Sequence, residues 1–170
     1  ILEARAFESE NLHFFQHDMR LPFYINYFDY VFNFFTSFGY FSTQREHDNA
    51  IRTIAQSLKK GGTFVIDYLN VHYAESHMTH QMEQEISGVN YYITKWYDEH
   101  HFFKKILIED ENLTEPLAFT EKVAKFTLGD FTDMLSYHGL QIKEVYGDYN
   151  FGNYDLYKSP RLLMIATKIR

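Results

Sequence analysis

The residues that could do chemistry gather where apolar runs end. Residues 32 to 41 read FNFFTSFGYF: six aromatics, two small hydroxyls, one amide and one glycine. Such a cluster is either plain core or the mouth of a pocket where a flat ligand lies against rings, and residue types alone leave both open. Asp67 and Asn70 follow a second apolar run, Thr63–Ile66, and Asp18 follows a third, Leu12–Gln16. Ser37 with Asp67 and a histidine could form a hydrolase triad, but the G-x-S-x-G elbow is missing. His72, His77, His80 and Glu83 could hold a metal, since His77 and His80 share a helix face at i, i+3, although the segment reads as polar and exposed.

The totals narrow these options. The 170 residues suit one domain. Hydrophobic residues are 45% and charged residues 23%, ordinary for a globular chain, while aromatics reach 19%, which favours strands and ring-lined pockets. A net charge of −7 with no basic block argues against a nucleic-acid partner. With no cysteine, disulfides, Cys-ligated zinc and thiol nucleophiles are excluded, and a reducing, cytoplasmic setting is expected. No apolar run approaches the ~20 residues of a membrane span, and the N-terminus lacks the pattern of a signal peptide.

The elements that must position these residues follow from periodicity. Residues 1–8 read as helix and Leu12–Gln16 as a short strand. Phe28–Phe35 is nearly continuous in apolar residues, the mark of a strand covered on both faces. Thr43-x-x-Glu46 is a capping box, and Ile51, Ile54, Ala55 and Leu58 form one helical stripe. Lys59 and Lys60 should lie at that helix's carbonyl end, with Gly61 as the stop. Thr63–Ile66 is the next strand, so the unit is βαβ with a right-handed crossover. Residues 82–127 alternate polar and β-forming residues, which predicts three antiparallel strands inserted within a single 1–170 domain. Thr127 caps a further helix, with Leu128, Phe131, Met134 and Leu135 on one face and Gly139 as its stop. Leu140–Tyr149 and Leu162–Thr167 close the chain as an antiparallel pair. The fold class is α/β, and an open α/β sheet binds ligands at the carboxyl ends of its parallel strands.

The ordered set resembles the Rossmann-like S-adenosylmethionine-dependent methyltransferases of small-molecule type. Gln16-His17-Asp18-Met19-Arg20, then Phe28-Asp29-Tyr30-Val31 leading into Thr36-Ser37-Phe38-Gly39-Tyr40-Phe41, carries the resemblance. Leu58-Lys59-Lys60-Gly61-Gly62-Thr63-Phe64 is similar to the junction before that family's fifth strand. Tyr146-Gly147-Asp148-Tyr149 and Ser159-Pro160-Arg161-Leu162-Leu163 are similar to its terminal hairpin. The resemblance implies S-adenosyl-L-methionine as cofactor and a small-molecule acceptor with an N or O nucleophile. It implies that Asp18 and Met19 meet the adenine, that Phe34 and Phe35 wall the ring's slot, and that Thr36 and Ser37 leave room for the methionine part. Tyr40 would orient the acceptor, with Asp67 and Asn70 nearby as acceptor contacts; Tyr40, Asp67 and His72 are the candidates for taking its proton.

The family's glycine-rich turn after the first strand is absent, because Gly61-Gly62 stands between a helix and a strand rather than the reverse. The family's strand order is 3-2-1-4-5-7-6, so the expectation is a sheet whose first two strands are not in this chain. The antiparallel insertion, with Tyr91, Tyr92, Trp96 and Tyr97, would be a lid or a homodimer surface, and a second copy could also fill the sheet gap. A non-catalytic interaction domain of the same fold is the competing reading.

Overall fold

The capping box at Thr43 starts the central helix. The Glu46 amide donates to Thr43 Oγ1 at 3.3 Å, and the Thr43 amide donates to the Glu46 carboxylate at 3.0 Å. Helix α2 then runs Gln44–Ser57 and buries Ala50, Ile51, Ile54 and Ala55. It connects strand β1, Phe28–Asn33, to β2, Leu58–Leu69, and the two pair in parallel with Val31 beside Phe64 and Asn33 beside Ile66. The computed structural model describes residues 2–110 and 112–170; the expected helix position Ile1 and turn position Glu111 lie outside the described residues.

The sheet continues antiparallel. β8, Arg161–Lys168, lies against β2, and β7, Leu140–Tyr146, lies outside β8, so the order is β1-β2-β8-β7. Helix α4, Leu128–Tyr137, starts with a Thr127–Asp130 capping box and buries Phe131, Met134 and Leu135. It joins α2 on one face of the sheet. On the other face Val65 and Ile165 are only half-buried, and Tyr30 and Phe32 are 63% and 55% exposed. Parallel strands are ordinarily covered on both faces. Here β1 has a neighbour on one side only, so that face and edge are both open.

A second sheet, β3-β4-β5-β6, is wholly antiparallel. Its strands are Gln81–Ile86, Val89–Tyr97, His101–Glu109 and Leu117–Ala124. Ser87 and Gly88, with φ of 53° and 80°, make the first turn, the backbone that a two-residue hairpin with the native twist requires. The inner end of this sheet is sewn to the first domain layer at one point. The Ala124 amide donates to Gly39 O at 2.8 Å, and the Tyr68 hydroxyl donates to Ala124 O. Gly39 sits at φ 105°, and a Cβ there would lie 2.8 Å from Tyr68 Oη. Phe38, Tyr68, Phe126 and Phe131 surround this stitch, with Phe38 5.7 Å from both Phe126 and Phe131.

Several expectations need correction. Leu12–Gln16 is not a strand; its stretch makes one bridge, Ser9 with Leu12, because no other strand lies alongside to take its backbone bonds. The N-terminal helix α1 covers only Leu2–Arg5. Helix α2 stops at Ser57, four residues before Gly61, and Leu58 is already extended. Lys59 therefore leaves the helix end and pairs with Asp29 at 2.8 Å, and Gly61, at φ 81°, serves a bulge between Leu58 and Thr63 instead of a helix stop. A short helix α3, Val71–Ser76, follows β2 where no helix was expected. The insertion has four strands rather than three, and the penultimate strand ends at Tyr146 rather than Tyr149. Among the described residues no helix is long and apolar enough to cross a membrane.

His47 is 3% exposed, with its ring 5.3 Å from Phe38 and 4.9 Å from Phe126. Its Nδ1 lies 3.0 Å from Thr43 O. Burial pushes its pKa down, so the folded state holds it neutral. The unfolded chain protonates histidine near pH ~6.5, so this contribution to stability is complete above that pH and is lost as pH falls through it. Urea midpoints should drop between pH 7.5 and 5.5 in the parent chain and drop less in His47→Gln. Parallel pH profiles for the two proteins would remove His47 as the cause.

Candidate functional site

At the carboxyl end of β2 the Asp67 side chain is 0% exposed. A buried carboxylate needs donors at nearly every lone pair. Arg161, the first residue of β8, gives it Nε at 2.8 Å and Nη2 at 2.7 Å. The Phe35 amide donates at 2.8 Å and the Tyr149 hydroxyl at 2.9 Å. Arg161 Nη2 also donates to Thr36 Oγ1 at 2.9 Å, and the Thr36 amide to Asp67 O at 3.1 Å. Burial, and then the carboxylate it donates to, push the Tyr149 hydroxyl pKa up, so it stays a donor.

These bonds hold an unfavourable backbone. Phe35 and Thr36 have φ of 59° and 58°, the left-handed region that residues with a Cβ avoid. Such positions cost about 1–3 kcal/mol each and persist only where surroundings fix them. The turn throws Phe35 outward, 78% exposed, and points Thr36 inward. Ser37 closes the turn, its hydroxyl 2.5 Å from Phe34 O.

Beside this turn lies a cavity of about 430 Å³, bounded by Thr36 and Tyr40, by Tyr73 and His77 at α3, and by Phe102 and Val123 of the second sheet. The walls are tied together. Lys125 bonds Glu75 of α3 at 2.6 Å and lies 4.3 Å over the Tyr97 ring. Lys95, Lys104 and Glu121 supply the cavity's charges, with Lys104 and Glu121 3.5 Å apart. Burial, then the Glu121 charge, push the Tyr40 pKa up, which keeps its hydroxyl protonated and able to donate.

The expected site residues divide into three places. Thr36 and Tyr40 line the cavity together. Asp67 is behind it, consumed by Arg161, while Phe34, Phe35 and Ser37 shape the turn, Phe34 being 42% exposed towards the open edge of β1. Asn70 is 1% exposed and holds the closing loop, its amide donating to Leu156 O at 2.9 Å and Ser159 O at 2.8 Å. Asp18 lies by the start of α2 and Met19 beside its second half. Asp18 takes Arg20 Nη2 at 2.7 Å, Arg20 reaches on to Glu46, and Met19 O accepts from Thr53 at 2.5 Å. The Arg20 side chain, then its backbone amide, lower the Asp18 pKa to about 2.

Sequence reasoning missed Arg161, Tyr149, Lys95, Lys104 and Glu121. Arg161 had a signal: an acid at the end of a fully apolar strand demands a cation, and Arg161 opens the other apolar strand. The insertion's charges had none, since only register shows which of them share a face.

Removing Asp67 leaves Arg161 and the Phe35 amide without their partner. Asp67→Ala should cost about 3–5 kcal/mol in urea unfolding. Paired with Arg161→Met in a double-mutant cycle, the combined loss should be well under the sum. Additive losses would show that the pair does not act as a unit.

No family model matches the chain, and no curated protein sequence matches it. Solved structures do. An S-adenosylmethionine-dependent methyltransferase from Clostridium acetobutylicum aligns with a TM-score of 0.75 at 14% identity, over 89% of this chain and 62% of its own. The CcbJ methyltransferase from Streptomyces caelestis gives 0.74 at 16%, over 91% and 62%. The sugar N-methyltransferase KedS8 from a Streptoalloteichus species gives 0.69 at 18%, over 91% and 62%. The chain thus spans about 62% of the length of these structures. At such identities the likeness is one of fold: this is a mixed α/β chain with the architecture of S-adenosylmethionine-dependent methyltransferases.

Proposed function

We propose that this chain carries the acceptor side of an S-adenosylmethionine-dependent methyltransferase that modifies a nitrogen or oxygen of a small molecule. The observation that carries the reading is the strained Phe35–Thr36 turn at the end of β1, fixed by a buried ion pair and lying beside a partly open cavity. The order β1-β2-β8-β7 reads as 4-5-7-6 of the methyltransferase sheet. The other strands would add at the free edge of β1, either from a longer chain or from another molecule.

The residues at the end of β1 fit the cofactor better than Asp18 does. Arg20 makes four contacts to the Asp18 carboxylate, two on each oxygen, so an exocyclic amine would have to take the place of one of them, the shared Nε being the weakest held. The Met19 amide would face a ring nitrogen, and Phe34 and Phe35 offer exposed ring faces beyond the end of β1. Asn33, the last residue of β1, has a buried Oδ1 with no partner among the described residues, so this strand end has unused polar capacity. Thr36 and Ser37 are small enough to leave room beside it.

When bound, the cofactor supplies an electrophilic methyl on a good leaving group. The protein's own work is alignment in a dry space, worth about 7–11 kcal/mol in favourable cases. Tyr40 stays protonated and donates a hydrogen bond that orients the acceptor. Its raised pKa makes it a poor base, and Asp67 is spent on Arg161, so the acceptor's proton leaves by another route; His72, the third candidate, packs against Tyr157 and does not line the cavity.

Calorimetry with S-adenosylhomocysteine tests this. The 170-residue chain should bind weakly, and a chain extended by the remaining strands should bind tightly; binding to neither supports a non-catalytic interaction domain instead. In the extended protein Tyr40→Phe should lower turnover by about tenfold, one lost hydrogen bond. Unchanged turnover would remove Tyr40 from the site.

A further inference from the structure

The second sheet's inner face is banded, and the band that meets the cavity is charged. Cross-strand partners share a face. Nearest the core, Tyr97, Phe102 and Val123 stand in one row. Two residues outward the row is Lys95, Lys104 and Glu121. Two further outward it is Met82, Ile93, Ile106 and Phe119. Charged side chains thus interrupt an otherwise apolar face at the level of the cavity.

The charges do not balance. Lys95 and Lys104 are directly opposite each other, an arrangement that destabilises a sheet by itself. Glu121 answers Lys104 at 3.5 Å. Among the described residues no carboxylate lies within 4.0 Å of the Lys95 ammonium. Both lysines are half-buried. The lining therefore carries a net positive charge in a chain whose total is −7. Half-buried charges are costly unless paired, so an anion entering the cavity removes an existing penalty as well as adding a bond.

We infer that the acceptor carries an anionic group, a carboxylate or a phosphate, held by Lys95, with Lys104 beside it shared with Glu121. This rests on the cavity being the acceptor site. The anion lies at the second sheet, and the nucleophile lies at the opposite wall beside Thr36 and Tyr40. Tyr73 and Phe102 flank the body of the molecule between them. An amine acceptor held by Glu121 is disfavoured, because Lys104 already occupies that carboxylate. The cavity, at about 430 Å³, falls within the range of small-molecule sites, roughly 300–1,000 Å³.

Four probes differing only in the polar group test the inference on the 170-residue chain: phenyl phosphate, benzoate, benzyl alcohol and benzylamine, followed by calorimetry. Phenyl phosphate or benzoate should bind at least about tenfold more tightly than the alcohol and the amine. The tighter of the two anions identifies the group. Lys95→Met should abolish that preference and Lys95→Arg should restore it, with circular dichroism confirming that both variants are folded. Equal or tighter binding of benzylamine or benzyl alcohol, or an anion affinity indifferent to Lys95→Met, overturns the inference. The cofactor titration fails separately: S-adenosylhomocysteine refused by the extended chain removes the methyltransferase reading and leaves Lys95-dependent anion binding standing.

Discussion

Asp67 is a charge with no exposed surface, and the structure around the strand ends follows from satisfying it. Its donors come from β1's terminal turn, from β8 and from the loop after β7: a main-chain amide, a guanidinium and a phenol. Three separate parts of the chain are thus brought to one carboxylate. Isolated, each would prefer another state. The Phe35–Thr36 turn would relax out of the left-handed region, and Arg161 would seek water. The local cost is met because the alternative, a bare carboxylate in the interior, is worse.

The second constraint is mechanical. Two sheets of different construction meet through Gly39, Tyr68 and Ala124, by one main-chain bond and one from the Tyr68 hydroxyl. A Cβ at Gly39 would meet the Tyr68 hydroxyl at 2.8 Å and Val123 at 3.0 Å, and φ there is 105°, so glycine lets the antiparallel sheet come this near. The cavity is the space this stitch leaves on one side, and the aromatic core with His47 fills the other. Cavity shape and core packing are therefore two consequences of one contact.

The layers are unequal in cover. One face of the mixed sheet is packed by α2 and α4, while the other shows aromatic side chains along β1. Rings on an open edge and a charged band on an inner face are both departures from the ordinary pattern of apolar inside and polar outside. Each stands beside the strained turn, from opposite directions. Local departures of this kind concentrate where a fold is used rather than where it is merely stable.

What was legible in the sequence was local. The capping boxes at Thr43 and Thr127, the helical stripe of Ile51, Ile54 and Ala55, and the apolar strand containing Phe64 and Ile66 appear as read, because each is set by bonds within a few residues. The placing of Thr36 just past β1 and of Asp67 near the end of β2 followed from the same signals, although β2 runs on to Leu69. What failed was whatever depended on a distant neighbour. Leu12–Gln16 has strand composition but no strand beside it, and α2 ends early because Leu58 joins β2 and Lys59 finds Asp29 across the sheet. Register alone decided that Lys95, Lys104 and Glu121 share a wall, and Arg161 became Asp67's partner 94 residues away. Short-range hydrogen bonds and side-chain periodicity are written in consecutive residues; pairing between remote charges is decided only when the chain closes on itself.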